Sequence, residues 1–391
     1  MVFIGVKSGS IHESSRLNGG SHFNEHLLFK TNKHRGASEI TRTVEWNGGY
    51  LNAFTEKLSM VFYIKALPEA IDKIIQIVFE AAANFEYTEK EFELERKVIL
   101  TEIKNSINIP NEYAFKRLFT PVVFQNTLLE KTTLGTTKSM SEVTKDELQD
   151  FKIKCFSPKN MVAVAVGIFD EKNLTEKFES TFGKLNPQKI TLPKLKVDLK
   201  NNHRACFEER KGIDQAYMNM GYKLTGFCKI TLKENFALKM MAYILKGGMS
   251  SRLFTELREK RGIGYRISCF LSDYKEASLF GAGIDGFDHS RLNESIDVIL
   301  GEFNKLKNES VPDREFKGIK NYVVSRYQEN IIDTADRADK IWNNEIRNTP
   351  YDFRDYEKHL RAVTKKDVMD AAQKYLTSDY TLTALVPEGF K

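Results

Sequence analysis

Cysteine is scarce in this chain: four occur in 391 residues, Cys155, Cys206, Cys228 and Cys269. Their spacing pairs none of them, which excludes a disulfide framework and makes a cysteine-built zinc cluster a poor fit. Reduced thiols in a cytosol-like compartment suit them better. Long apolar runs are also missing. Without about eighteen consecutive apolar residues no membrane-spanning helix is expected. No charged-then-apolar leader stands at the start, where Met1 to Val6 already alternates like a strand, so a soluble, unexported, cytoplasmic protein is expected, with an organellar matrix as the other compartment. No basic block occurs either. The net charge of +6 arises from 59 basic and 53 acidic residues spread along the chain, a pattern that does not point to nucleic acid. What remains is an ordinary globular composition, 41% hydrophobic, long enough for two domains with their own cores.

Against this plain background one string stands out, His22-Phe23-Asn24-Glu25-His26. Residues four apart lie on one helix face, so His22 and His26 can direct both imidazoles at a single ion. Glu25 sits on the adjoining flank, where a carboxylate reaches a metal-held water without being a ligand. A catalytic zinc takes three protein ligands and leaves the fourth position to water, whose pKa it lowers. Two histidines are one ligand short. The helical stretch Glu95 to Glu102 offers two carboxylates nearly two turns apart on one face. One can bind metal while the other supports the site. A lone histidine on a helix is usually structural, and a lone glutamate is usually a solvated charge. The combination of the two motifs is what favours a metal site.

The order His-x-x-Glu-His is the inverzincin arrangement, the reverse of the commoner zincin pattern. Here the sequence resembles the pitrilysin-like, or M16, family of metallopeptidases. Trp46-Asn47-Gly48-Gly49-Tyr50-Leu51-Asn52-Ala53-Phe54-Thr55 is similar to the family's strand beside bound peptide, and Glu95 to Glu102 to its second ligand helix. In the second half, Gly247 to Phe254 followed by Arg258 and Tyr265 resembles the family's substrate-holding pair. The resemblance implies that His22, His26 and Glu102 hold one Zn2+ per chain, with Glu25 as catalytic base and Glu95 as a supporting catalytic carboxylate. It implies further that Asn52, Ala53 and Phe54 bind substrate as an added strand, joined by Arg258 and Tyr265. Relatives usually carry a strand before the one at Met1, so either the first sheet starts with an exposed edge or the recorded start is internal. Asn24 stands where relatives have an apolar residue, which would loosen packing if its face is buried.

The halves repeat one another. Val143 to Leu148 returns as Val363 to Val368, Ala70 to Ile75 as Ser295 to Leu300, and Glu91-Phe92 as Glu315-Phe316, which sets Arg326 opposite Glu102. Strand patterns at Val2 to Ser8, Ser59 to Ala66 and Met161 to Gly167 alternate with helical stretches at Pro68 to Ala83, Glu89 to Ile107 and Lys145 to Lys154. These predict an α+β fold of two homologous domains, each a largely antiparallel sheet covered on one face by helices. The expected boundaries are a metal-binding domain at 1–186, a proline-bearing linker at 187–202 and a homologous non-metal, substrate-binding domain at 203–391.

The implied activity is a zinc-dependent endopeptidase acting on unfolded peptides or targeting segments inside a closed chamber, which two such chains complete as a homodimer. Strand addition reads backbone more than side chains and predicts broad sequence tolerance. The alternative is a non-catalytic structural or partner subunit, a role that metal-free members of the family fill.

Overall fold

A computed structural model describes residues 1–83, 87–187, 196–201, 203–349 and 351–390. The alternating segments form strands: β1 Val2–Val6, β2 Tyr50–Thr55, β3 Met60–Lys65 and β4 Met161–Ala165 in the first sheet, ordered β2-β3-β1-β4. Every pairing in it is antiparallel. The second sheet contains β5 Arg204–Arg210, β6 Ala216–Thr225, β7 Arg266–Asp273, β8 Ala277–Phe287 and β9 Thr381–Pro387, ordered β5-β9-β6-β8-β7. Read from β7 to β9, it repeats the first sheet strand for strand. It then adds β5, parallel to β9, for which the first sheet has no counterpart among the described residues.

The edge expected at the first strand therefore lies elsewhere. β1 is interior, paired with both β3 and β4, and the sheet ends at β2 and β4. Helices follow the apolar periodicity: α1 Gly20–Leu27, α2 Ala37–Trp46, α3 Pro68–Ala83 and α4 Glu89–Asn108. The repeat is visible in detail at the helices Lys145–Cys155 and Lys365–Tyr375. Each opens with a reciprocal capping box, Thr144 with Glu147 and Thr364 with Asp367.

Two compact units result, and each takes a segment from the other half of the sequence. The first contains residues 1–105, 131–195 and 331–348; the second contains 106–130, 196–330 and 349–391. The contiguous halves supply most of each unit, but 106–130 and 331–348 are exchanged, so the boundaries at 186 and 203 do not describe the packing. The linker at 187–202 falls mostly on 188–195 and 202, outside the described residues.

Burial gives the reason for the exchange. In the first unit Val2, Ile4, Val6, Phe62 and Ile64 face α2 and α3 through Ile40, Val44, Ile74, Ile75 and Val78. Residues of opposite parity, Phe3, Val61 and Val164, need a second cover. Ala338 and Trp342 on the helix Thr334–Arg347 provide it. A Cβ on Gly5 would lie 2.0 Å from the Trp342 indole, so only glycine fits beneath that ring. In the second unit the helix Leu232–Lys246 packs Phe236, Met240 and Ile244 against Met218, Met220 and Tyr222. There the π-helical segment Tyr113–Phe119 brings Ala114 and Leu118 against Leu385. Helices thus cover one face of each sheet, as expected, and a borrowed segment lies on the other.

Candidate metal centre

The geometry builds from α1. His22 and His26, one turn apart, place their rings 4.6 Å apart, edge to face. Both Nε2 atoms lie 3.6 Å from Oε2 of Glu102 on α4. That separation is too long for hydrogen bonds. It is close to the roughly 3.3 Å expected between atoms that each sit about 2.0–2.1 Å from one tetrahedral ion. His22, His26 and Glu102 are the one group of metal-capable side chains that converges among the described residues, with ligand atoms within 4.8 Å of one another. A mixed nitrogen and oxygen donor set of this kind suits zinc.

Charge around the cluster is negative. Glu95 accepts from His26 Nδ1 at 3.1 Å and pairs with Lys30 Nζ at 2.6 Å. Its own burial opposes ionisation, yet the bonds from His26 and Lys30 hold its pKa below the ordinary value. Burial likewise pulls His26 down, but the bond to Glu95 and the charges of Glu102 and Glu25 lift it above the usual imidazole range. Among the described residues His22 Nδ1 has no such partner. Burial and the neighbouring His26 lower it to about 3, so its ring is neutral and its Nε2 free to donate a lone pair. A neutral imidazole is the form that binds metal.

Glu25 lies on the same helix, half-buried, with its pKa raised chiefly by desolvation. It accepts a 2.5 Å bond from the Thr55 hydroxyl at the end of β2. Beside it opens a cavity of about 520 Å³ lined by Glu25, His26, Phe29, Leu51, Asn52 and Ala53, among others. β2 is the outer strand, bonded to β3 on one side only. On the other side the Ala53 N–H donates to the Asn52 side chain, whose Nδ2 in turn donates to Tyr50 Oη.

Asn52 and Ala53 therefore share the cavity with the glutamates. The Phe54 ring instead packs near Phe3 and Tyr63, at 6.4 and 6.2 Å. Arg258 and Tyr265 meet in the second unit, the guanidinium 3.8 Å above the phenol ring, with Tyr265 exposed. Arg326, aligned with Glu102 by the repeat, pairs with Glu329. Asn24 is fully buried; its Nδ2 donates to the Leu148 carbonyl while Oδ1 has no partner among the described residues.

Sequence reasoning assigned no role to Thr55 or Lys30. Lys30 follows His26 by four residues, a helical spacing that could have been used; Thr55 carries no such signal.

Residues 1–137 match the family model described as Insulinase (Peptidase family M16), and residues 142–323 the one described as Peptidase M16 inactive domain. An uncharacterized zinc protease of Rickettsia bellii is 26% identical over 98% of this chain and 91% of its own length. The zinc protease YmxG of Bacillus subtilis, also described as uncharacterized, is 26% identical over 99% and 93%. A crystal structure of a protease from Helicobacter pylori superposes with a TM-score of 0.90, 24% identity and coverage of 99% and 93%. A peptidase M16 inactive domain from Pseudomonas fluorescens gives 0.89 at 16% identity, covering 99% and 92%. Among the described residues no helix is long and apolar enough to cross a membrane.

Proposed function

Because the chain belongs to the pitrilysin-like M16 family of peptidases, we propose that its first unit is a zinc-dependent endopeptidase centre acting on unfolded peptides. The observation that carries this reading is the convergence of His22, His26 and Glu102 with Glu25 on the adjoining flank. Zinc bound there would polarise the scissile carbonyl and acidify a water. Glu25, its proton affinity raised by burial, would accept a proton from the attacking water and return it to the leaving amine. Glu95 fixes the His26 ring through Nδ1 and leaves Nε2 directed at Glu102. Thr55 holds the Glu25 carboxylate.

Substrate enters as a strand beside β2, which requires Asn52 to release the Ala53 N–H to a substrate carbonyl. The second unit contributes Arg258 and Tyr265 to peptide binding, and the functional species is a homodimer enclosing the reaction in a chamber. Support for these last two elements is the family resemblance alone. A non-catalytic partner role has one observation in its favour, the match of 142–323 to an inactive domain. That half has no His-x-x-Glu-His, so the match concerns residues outside the metal centre.

Cleavage of an internally quenched, unstructured peptide by the zinc-loaded chain tests the proposal. Glu25→Gln is expected to retain zinc and lower kcat by roughly 10²–10⁴-fold, and chelation is expected to abolish activity reversibly. Sedimentation of the active species should give twice the 45.0 kDa chain mass. A zinc-loaded parent that cleaves nothing would sink the catalytic reading and leave the partner role.

A further inference from the structure

α1 begins without a capping side chain. Its N-cap is Gly19, in the left-handed region at φ 98°, and Gly19 offers no acceptor to the first turn. Four N–H groups at such a terminus need partners. They find one in Glu13, a carboxylate outside the helix that is 3% exposed. Glu13 Oε1 accepts from Ser21 N at 2.7 Å, and Oε2 accepts from Gly19 N at 2.7 Å and Asn18 Nδ2 at 3.1 Å. The carboxylate spans the junction between loop and helix one residue before the first metal-directed histidine. Burial raises the Glu13 carboxyl to about 7, while these donors and the positive end of the helix dipole favour its charged form.

The same loop is fastened to the strand hairpin that carries the partner of Glu25. Ser10 and Ile11 donate their N–H groups to the carbonyls of Glu56 and Lys57, immediately after β2. Lys131 Nζ donates to the Glu13 carbonyl, and Lys57 Nζ to the Lys131 carbonyl. Backbones meet closely around this point. A Cβ on Gly135 would lie 2.3 Å from the Asn18 carbonyl oxygen, and one on Gly9 would lie 2.2 Å from that of Glu56. Little slack remains in which α1 could slide along its axis.

We propose that Glu13 is a positioning residue for the metal centre: by holding the first turn of α1 against the β2–β3 hairpin, it sets the reach of His22 and His26 towards Glu102 and of Glu25 towards Thr55. This rests on the zinc reading above. The role differs from that of Glu95, which bonds to His26 itself, because the Glu13 carboxylate bonds to the backbone at the start of α1. It acts on the axial position of the whole helix. One turn of α1 separates His22 from His26, and both must meet a carboxylate fixed on another helix. A shift of α1 by a fraction of its 1.5 Å rise per residue therefore misplaces two ligands together.

The test is cobalt and zinc binding to the full-length apo-protein. Cobalt is followed by its visible d–d spectrum, zinc by competition with a chromophoric chelator, and folding by circular dichroism and thermal melting. The parent is expected to bind one cobalt with a four-coordinate spectrum. Glu13→Gln keeps the side-chain shape but turns an amide NH2 towards a backbone donor; it should fold, weaken metal binding about tenfold or more and alter the cobalt bands. Asn18→Ala, which leaves the carboxylate and removes one of its donors, should move the same readouts less and in the same direction. Should Glu13→Gln fail to fold, Asn18→Ala decides by those readouts. Variants that melt earlier yet keep the parent's metal affinity and spectrum would overturn the inference and make Glu13 a fold residue only. A parent that binds no cobalt or zinc would instead overturn the metal centre itself.

Discussion

Lys152 is a fully buried amine on the helix Lys145–Cys155, 5.2 Å from the Phe156 ring and 3.4 Å from the Ala81 carbonyl. Desolvation lowers its pKa from 10.5 to about 7. The folded state therefore holds the proton less tightly than the unfolded chain. Stability tied to this group is fully present above pH 10.5 and is lost as pH falls through that value towards 7. Lys152→Met keeps the stem and removes the amine. It is expected to stabilise the protein by roughly 1–3 kcal/mol at pH 7, with the gain shrinking as pH rises towards 10. Urea unfolding at several pH values measures this, and a gain independent of pH would refute the assignment. At this scale the sequence was informative where spacing was local. His22, Glu25 and His26 lie on one short helix, so their joint use could be read from numbering alone. Glu13 and Thr55 could not be found that way, because each acquires its role from a contact made by folding. A glutamate nine residues before a histidine has no periodic relation to it.

The helix Thr334–Arg347 lays Trp342 across β1, and the ring occupies the space a side chain at position 5 would need. Trp342→Ala is expected to cost about 3–5 kcal/mol by opening a cavity over the sheet. Gly5→Ala in the parent should be destabilising through overlap with the indole. In the Trp342→Ala background much of that cost should vanish, so the pair should couple strongly in a double-mutant cycle read by chemical denaturation. Additive costs would show that the ring does not rest on Gly5. Individual elements were legible: α3 runs from Pro68 to Ala83, as its apolar periodicity indicates, and β3 and β4 fall within their alternating runs. Strand order was less so. β1 proved interior because β4, about 155 residues later, pairs with it. The extra strand of the second sheet, β5, pairs with β9 at the far end of its own half. Alternation shows that a strand has two faces, but it does not identify the strand's neighbours.

The exchange of 106–130 and 331–348 belongs to the molecule as a whole. The internal repeat pointed to two contiguous halves, because corresponding helices recur at nearly constant offsets. An amphipathic helix, however, states only that it needs an apolar surface, and the unsatisfied faces of the two sheets decided which one it met. A fragment of residues 1–195 should therefore be incompletely folded, with Phe3, Val61 and Val164 lacking Ala338 and Trp342. Proteolysis should cut it faster than the same region in the full chain, and addition of a peptide spanning 331–348 should slow the cutting. Equal resistance in fragment and full chain would contradict the exchanged packing.

Vectorial synthesis turns this exchange into a matter of timing. Residues 106–130 leave the ribosome long before the sheet they are destined to cover, whereas the first sheet waits for a helix encoded more than 150 residues after its last partner in 1–195. At 5–20 residues per second that wait is roughly 8–30 s. Both units are closed only by the final stretch, 331–391, so the candidate metal centre and the companion unit are finished almost together. A chain interrupted midway would carry all four proposed catalytic side chains, His22, Glu25, His26 and Glu102, on helices of a unit whose sheet is still open to water on its second face.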